Sequence, residues 1–159
     1  MRYIRSDRTD PYYNLALEEY LFKYLEDDIF MLWQNNRTIV IGNYQNTLEE
    51  ISYSYVKEND IHVVRRMTGG GAVYHDLGNI NFTFITKESE SGNLDFAYFT
   101  KAVLKTLEEY GIRAEFSGRN DLTIEGKKFS GNAQYRKAGR ILHHGTILFD
   151  SDLEAVVKA

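Results

Sequence analysis

The sequence predicts an α+β domain, with a mixed, largely antiparallel sheet flanked by helices. Three observations carry this. Helical and extended segments are interleaved without a regular βαβ repeat. Residues 122–150 read as extended runs joined by tight turns at Gly126 and near Gly139, an antiparallel meander. Ile80, Phe82 and Phe84 alternate with Asn81 and Thr83, the two-residue period of a strand.

The elements follow in order. Asp10 before Pro11 pairs an N-cap with a proline at the first helical position, and Leu17, Leu21, Tyr24 and Leu25 share a face, so residues 11–26 are expected to be a helix. Residues 29–33 and 38–41 are β-rich, and 34–37 between them read as a hairpin. Thr47 with Glu50 fits a capping box opening a helix to about Glu58. Residues 61–66 form a strand ending in Arg65 and Arg66. Gly69, Gly70 and Gly71 follow, residues 72–74 resume a strand, and residues 76–79 carry turn chemistry. Asp95 starts a helix with Phe96, Phe99, Val103, Leu107 and Tyr110 on one side, ended by Gly111. Ile112, Ala114 and Phe116 alternate as a strand, and the meander completes the chain.

Composition narrows the function classes. A chain of 159 residues, 43% hydrophobic, is long and apolar enough for one domain with a real core. A net charge of −4 makes it a poor candidate for wrapping nucleic acid. No apolar run is long enough to span a membrane, and no apolar stretch behind Met1 suggests a signal peptide, so a cytoplasmic location is expected. The chain contains no cysteine, which removes disulfides, thiolate metal sites and a cysteine nucleophile.

Residues 65–79 are the chemical centre. Glycine amides approach a ligand with no Cβ in the way, and a run of them makes an anion-binding concavity. Arg66 at its edge adds a forked positive charge. The segment is neither a Walker A loop nor a dinucleotide fingerprint. Three glycines alone would suit a plain hairpin loop. Arg65, Arg66, Thr68, His75, Asp76 and Asn79 around them turn the balance toward a phosphate-bearing ligand. A second polar set lies on the strand from Lys128, where strict alternation puts Lys128, Ser130, Asn132 and Gln134 on one face and Phe129, Gly131, Ala133 and Tyr135 on the other. On an isolated strand such a polar face would point to solvent. His143 and His144 are adjacent in a strand, so they face opposite sides and cannot ligate one metal; His62 reads as structural.

The run R-R-x-T-G-G-G-A-V-Y-H-D-L-G-N at 65–79 closely resembles the signature of lipoate–protein ligases, which share a superfamily with biotin–protein ligases and octanoyltransferases. Residues 14–19, G-R-N-D-L at 118–122, G-K-K-F-S-G-N-A-Q at 126–134 and H-H-G-T at 143–146 are similar to motifs of the same family, in the family order. The resemblance implies a class II synthetase-like catalytic domain. It implies ATP-dependent activation of lipoate to lipoyl-AMP, then transfer of the lipoyl group to a lysine of an acceptor. The acceptors would be lipoyl domains of 2-oxoacid dehydrogenases or the glycine cleavage H protein.

Residue by residue, Lys128 matches the family's central, catalytic lysine. Arg66, Thr68, Gly69, Gly70, Gly71, Ala72, Val73, Tyr74, Asn79, Asn120 and Lys128 are the implied ATP and adenylate contacts. Trp33, Gly71, His75, Lys128 and His144 are the implied lipoate contacts, and Asp121 would hold Mg²⁺ by way of the phosphates. An octanoyltransferase needs a thiolate that the chain lacks, and the glycine loop is the lipoate rather than the biotin version. A third reading is a non-catalytic or partner-dependent fragment. Ser151 to Glu154 form a capping box, Val156 and Val157 follow, and the chain ends at Ala159 where family domains continue. Residues 1–159 are thus expected to be the N-terminal portion of the catalytic domain, without an accessory C-terminal domain. A separate polypeptide supplying the remainder is one arrangement this implies.

Overall fold

The computed structural model describes residues 1–88 and 95–158. In chain order these form β1 (Arg2–Arg5), α1 (Pro11–Tyr24), β2 (Ile29–Trp33), β3 (Thr38–Ile41), α2 (Thr47–Glu50) and α3 (Tyr53–Glu58). There follow β4 (His62–Arg65), β5 (Val73–His75), β6 (Asn79–Lys87), α4 (Phe96–Glu109), β7 (Glu115–Ser117), β8 (Asp121–Ile124), β9 (Lys127–Lys137), β10 (Arg140–Leu148) and α5 (Leu153–Lys158). Seven strands make one sheet in the order β1-β2-β6-β10-β9-β8-β7, antiparallel except for the parallel pair β1–β2. A smaller sheet, β4-β3-β5, has one parallel and one antiparallel pair. The α+β class with a mixed, largely antiparallel sheet is as the sequence predicts.

Register assigns the two faces of the large sheet, because cross-strand partners share a side. Trp33 pairs with Asn81 and Asn81 with Thr146; Met31 pairs with Thr83, Thr83 with His144, and His144 with Ala133. On this face Ile29, Met31, Trp33, Ile85 and Leu142 pack with Leu21 and Phe22 of α1 into the main core. The opposite face carries Phe30, Phe84, Phe82, His143, Gln134 and Asn132, and Phe99 of α4 stacks on it. A second core, with Ile39, Ile41, Val56, Ile61, Tyr74 and Ala155, joins the small sheet to α3 and α5.

Several local expectations are corrected. Residues 34–37 are not a hairpin turn, since β2 lies in the large sheet while β3 is the centre of the small one. The chain crosses between sheets there, and fully buried Asn35 anchors the crossing. Likewise β4 and β5 do not pair with each other. Both pair with β3, so the glycine segment crosses the end of β3 instead of closing a hairpin.

Asp10 caps α1 through Tyr12 and Tyr13 amides, but the helix ends at Tyr24, which is exposed, and its buried face includes Asn14 and Glu18. The cap before residue 47 is Asn46 rather than Thr47, and the expected single helix is two, broken where Ile51 is extended. At the chain's end Asp152, not Ser151, caps α5, accepting from the amides of Glu154 and Ala155. Asp95 caps α4 as expected and Gly111 follows it with φ +76, although Tyr110 is exposed. The strand expected from Ile112 is confined to Glu115–Ser117.

Candidate functional site

The most consequential correction concerns Lys128. Thr123 pairs with Lys128 while its neighbour Leu122 pairs with Ser130, so β9 carries one extra residue, a bulge at Phe129. Beyond a bulge the alternation inverts. Lys128 therefore lies on the side of Gly131, not with Ser130 and Asn132, and a Cβ built at Gly131 would stand 3.3 Å from Lys128 Nζ. Ser130 and Asn132 are buried rather than facing solvent. Lys128 Nζ rests 2.9 Å from Asp121 Oδ1 in an ion pair, and Asp121 itself pairs in the ladder with Gly131.

A cavity of about 540 Å³ opens where the glycine loop faces β9 and β10. Of the residues picked out from sequence, Arg66, Gly69, Gly70, Gly71, Ala72 and Val73 form one wall. Trp33, His75 and His144 also line it, and Asn120 and Lys128 complete it. Thr68, Tyr74, Asn79 and Asp121 lie behind these walls. Thr68 is fully buried, Tyr74 packs in the small-sheet core, Asn79 donates to Asn81 Oδ1, and Asp121 holds Lys128.

One hydrogen-bond chain ties the walls together. Trp33 Nε1–H donates to Thr83 Oγ1 at 2.9 Å, and Thr83 donates to Glu18 Oε1 at 2.6 Å. His144 Nδ1 donates to the same carboxylate at 2.9 Å, and its Nε2 is hydrogen-bonded with Thr68 Oγ1 at 2.8 Å. Arg66 Nε then donates to Thr68 Oγ1 at 2.9 Å. The rest of the Arg66 guanidinium donates to the carbonyls of Val40, Gly69 and Gly71. Arg66 thus holds the loop in shape from inside. Burial pulls its pKa down, with Glu18 opposing.

His75 has a defined tautomer. Asn14 Nδ2 donates to the carbonyls of Arg8 and Gln34 and to Asn35 Oδ1, so Asn35 Nδ2 must be what faces His75 Nδ1 at 3.2 Å. The His75 proton is therefore on Nε2, which has no hydrogen-bond partner among the described residues although the ring lines the cavity. Burial, then His144 and Arg66, pushes His75 down to about 3; burial, then His144, does the same to His143.

Both rings stay neutral in the folded chain, while in the unfolded chain they protonate near 6.5. The unfolded state then binds more protons below pH 6.5, so the stability is present above that value and is lost as pH falls toward 3. Each ring is expected to cost about 1.4 kcal/mol per pH unit over that window. Urea midpoints at pH 7.5 and 5 measure this, and equal midpoints contradict it.

Gly42 was not singled out by its sequence, yet it fixes the glycine loop from outside. A Cβ there would land on the Gly70 carbonyl, far inside contact distance. Around it Asn43 N–H donates to the Thr68 carbonyl, and Arg65 donates to the carbonyls of Gly42 and Gln45. Gly42→Ala is expected to displace the loop at a cost of about 1–3 kcal/mol; a thermal melt of the purified variant checks it, and a native melt contradicts it. Glu18, Asn35, Asn81, Thr83 and Arg119 were missed too. The one available signal was Asn14 and Glu18 at helical spacing on a face that also carries Leu21.

The model of the lipoyl protein ligase A/B catalytic domain matches residues 10–159. Lipoate-protein ligase LplJ of Bacillus subtilis is 52% identical over 152 residues, covering 94% of this chain and 46% of the relative. The crystal structure of P. falciparum LipL1 in complex with lipoate superposes with TM-score 0.91 at 35% identity, over 99% of this chain and 50% of that one. Lipoate-protein ligase A bound with ATP gives TM-score 0.89 at 28% identity, over 98% and 69%. A bipartite lipoate protein ligase from Thermoplasma acidophilum, described with its E2 lipoyl domain, gives 0.88 at 30%, over 98% and 64%. The chain spans about half the length of the curated relatives it matches. A glycine loop facing a bulge-turned lysine across one cavity, on this fold and with this family match, gives the chain its place: it belongs to the lipoyl protein ligase A/B catalytic-domain family.

Proposed function

We propose that the chain carries the adenylating site of an ATP-dependent lipoate–protein ligase. The observation that supports it most is the cavity itself, lined in common by the Gly69–Gly71 loop, Lys128, Trp33 and His144. In the first step a lipoate carboxylate oxygen bonds to the α-phosphorus of ATP and pyrophosphate leaves. Two anions meet there, and charge grows on the phosphoryl oxygens. Lys128 Nζ, once released from Asp121, can touch both partners and stabilise that charge. The glycine amides donate to phosphate oxygens, while Arg66 adds positive charge from behind and holds the loop. Tyr74 and Asn79 act on the adenylate from behind the wall, Tyr74 through backbone and Asn79 through Asn81.

The acyl chain lies along Trp33 and His144, with the His75 Nε2–H free to donate to the ligand. In the second step an acceptor lysine amine attacks the acyl carbon and AMP leaves, so positioning suffices and no enzyme nucleophile is needed. Asp121 fits a Mg²⁺ carried on the phosphates, because one carboxylate plus phosphates suits that ion, whose charge would offset theirs. No cluster of three His, Cys, Asp or Glu side chains exists among the described residues, so the protein alone offers no metal cage.

The acceptor is a lipoyl domain of a 2-oxoacid dehydrogenase or the glycine cleavage H protein, with the enzyme in the cytoplasm. No helix among the described residues is long and apolar enough to cross a membrane. Residues 1–159 are the N-terminal portion of the catalytic domain, and the remaining polypeptide, fused or separate, completes the closure over the adenylate. The test is the mass shift of an acceptor domain incubated with lipoate, ATP and the chain, with and without that polypeptide. With no cysteine in the chain, thiol alkylation is expected to leave its activity unchanged, and transfer from an octanoyl carrier protein without ATP is expected to be undetectable. Robust ATP-free transfer would turn the reading to a transferase.

A further inference from the structure

His143 lies on the α4 side of the large sheet, and the chemistry above leaves it unused. It is fully buried, with Phe99 stacked at 4.8 Å, Phe82 at 6.0 Å and Phe96 edge-on at 5.6 Å. Packing accounts for the ring but not for its two polar contacts. Gln134 Nε2 stands 2.9 Å from Nδ1, and Nε2 stands 3.2 Å from Asn132 Oδ1. Asn132 Nδ2 donates to the Asn120 carbonyl at 3.0 Å and to Ser130 Oγ at 3.3 Å, so Oδ1 is the acceptor and the imidazole proton sits on Nε2. The Asn132 backbone N–H also donates to the Asn120 carbonyl at 2.9 Å, and Asn120 Nδ2 returns a bond to the Asn132 carbonyl at 2.7 Å. A Cβ at Gly145 would overlap both Asn132 Oδ1 and Phe82, so β10 is bare where this amide must fit.

We infer that His143 is a positioning residue: through Asn132 it fixes residues 119–121, which present Arg119 and Asn120 to the cavity and carry Asp121, the ion-pair partner of Lys128. The bond from Nε2 decides which way the Asn132 amide faces. If that amide turns over, its Nδ2 no longer reaches the Asn120 carbonyl, and Asn120 loses one of its three bonds to Asn132. The effect on ligands rests on the nucleotide reading of Asn120. The effect on the segment does not.

Two variants of the full chain separate positioning from packing. His143→Phe keeps the aromatic stack and removes both polar contacts. His143→Gln loses the ring but keeps a donor toward Asn132. Positioning predicts that His143→Phe, which leaves the Asn132 amide without its donor, binds ATP about tenfold more weakly and binds lipoate normally, while His143→Gln melts lower yet binds ATP within about threefold of the native chain. Packing alone predicts the reverse, an innocuous Phe and a damaging Gln, and that result overturns the inference. Hydrogen exchange without ligand gives a second readout. The Asn132 amide should exchange about tenfold faster in His143→Phe and not in His143→Gln. Native-like exchange in His143→Phe overturns the inference. If the native chain binds no ATP, the nucleotide reading fails, and the exchange result alone decides the positioning.

Discussion

Lys128→Ala is expected to abolish lipoyl-adenylate formation while leaving the fold in place. The side chain is half-exposed and its ion pair with Asp121 is partly solvated, so its contribution to stability is about 0–1 kcal/mol. Its removal from the reacting phosphate is a different matter. One charged donor at a developing negative charge contributes about 3 kcal/mol or more, roughly a hundredfold in rate. Pyrophosphate release from ATP plus lipoate, followed beside a thermal melt, checks both halves. Near-normal release with a native melt would leave Lys128 without a role in the chemistry.

Gly70→Val is expected to damage nucleotide binding more than stability. Gly70 has φ +101, which a β-branched residue adopts only with strain of about 1–3 kcal/mol. Its Cβ would also press on Arg66 Nη2 at 3.1 Å, the nitrogen that bonds the Gly69 and Gly71 carbonyls. The loop would have to rearrange, and its amides would leave the phosphate position. Unchanged ATP affinity by calorimetry would mean that the loop is a connector only.

What was legible in the sequence follows from which interactions are local. Asp10, Asp95 and Gly111 act on neighbouring backbone groups, so α1 and α4 were placed correctly at those ends. The meander was legible because its turns lie beside the strands they join. The hairpin reading of 34–37 failed because two adjacent β-rich runs look alike whether they pair together or enter different sheets. Here the choice is made by Asn35, held by Asn14 and His75 from distant parts of the chain.

The face of Lys128 was misread for a related reason. A bulge changes the count by one residue and leaves no mark on composition, so strict alternation gave the wrong side. The family motif found the residue where periodicity could not aim it. Thr68, Tyr74, Asn79 and Asp121 show the limit of motif reading, since they support the cavity wall without lining it. Glu18 shows the converse, a buried carboxylate that links Trp33 to His144 and stood inside a recognised segment without a role.

The most direct measurement is a crystal structure of the chain with a non-hydrolysable lipoyl-AMP analogue. The acyl–phosphate junction is expected within hydrogen-bond reach of Lys128 Nζ, now drawn from Asp121, with phosphate oxygens on the Gly69–Gly71 amides and the acyl chain between Trp33 and His144. An analogue seated elsewhere, or one in this cavity with Lys128 still paired to Asp121 and out of reach of the junction, would contradict the assignment of this cavity as the place where lipoate and ATP are joined.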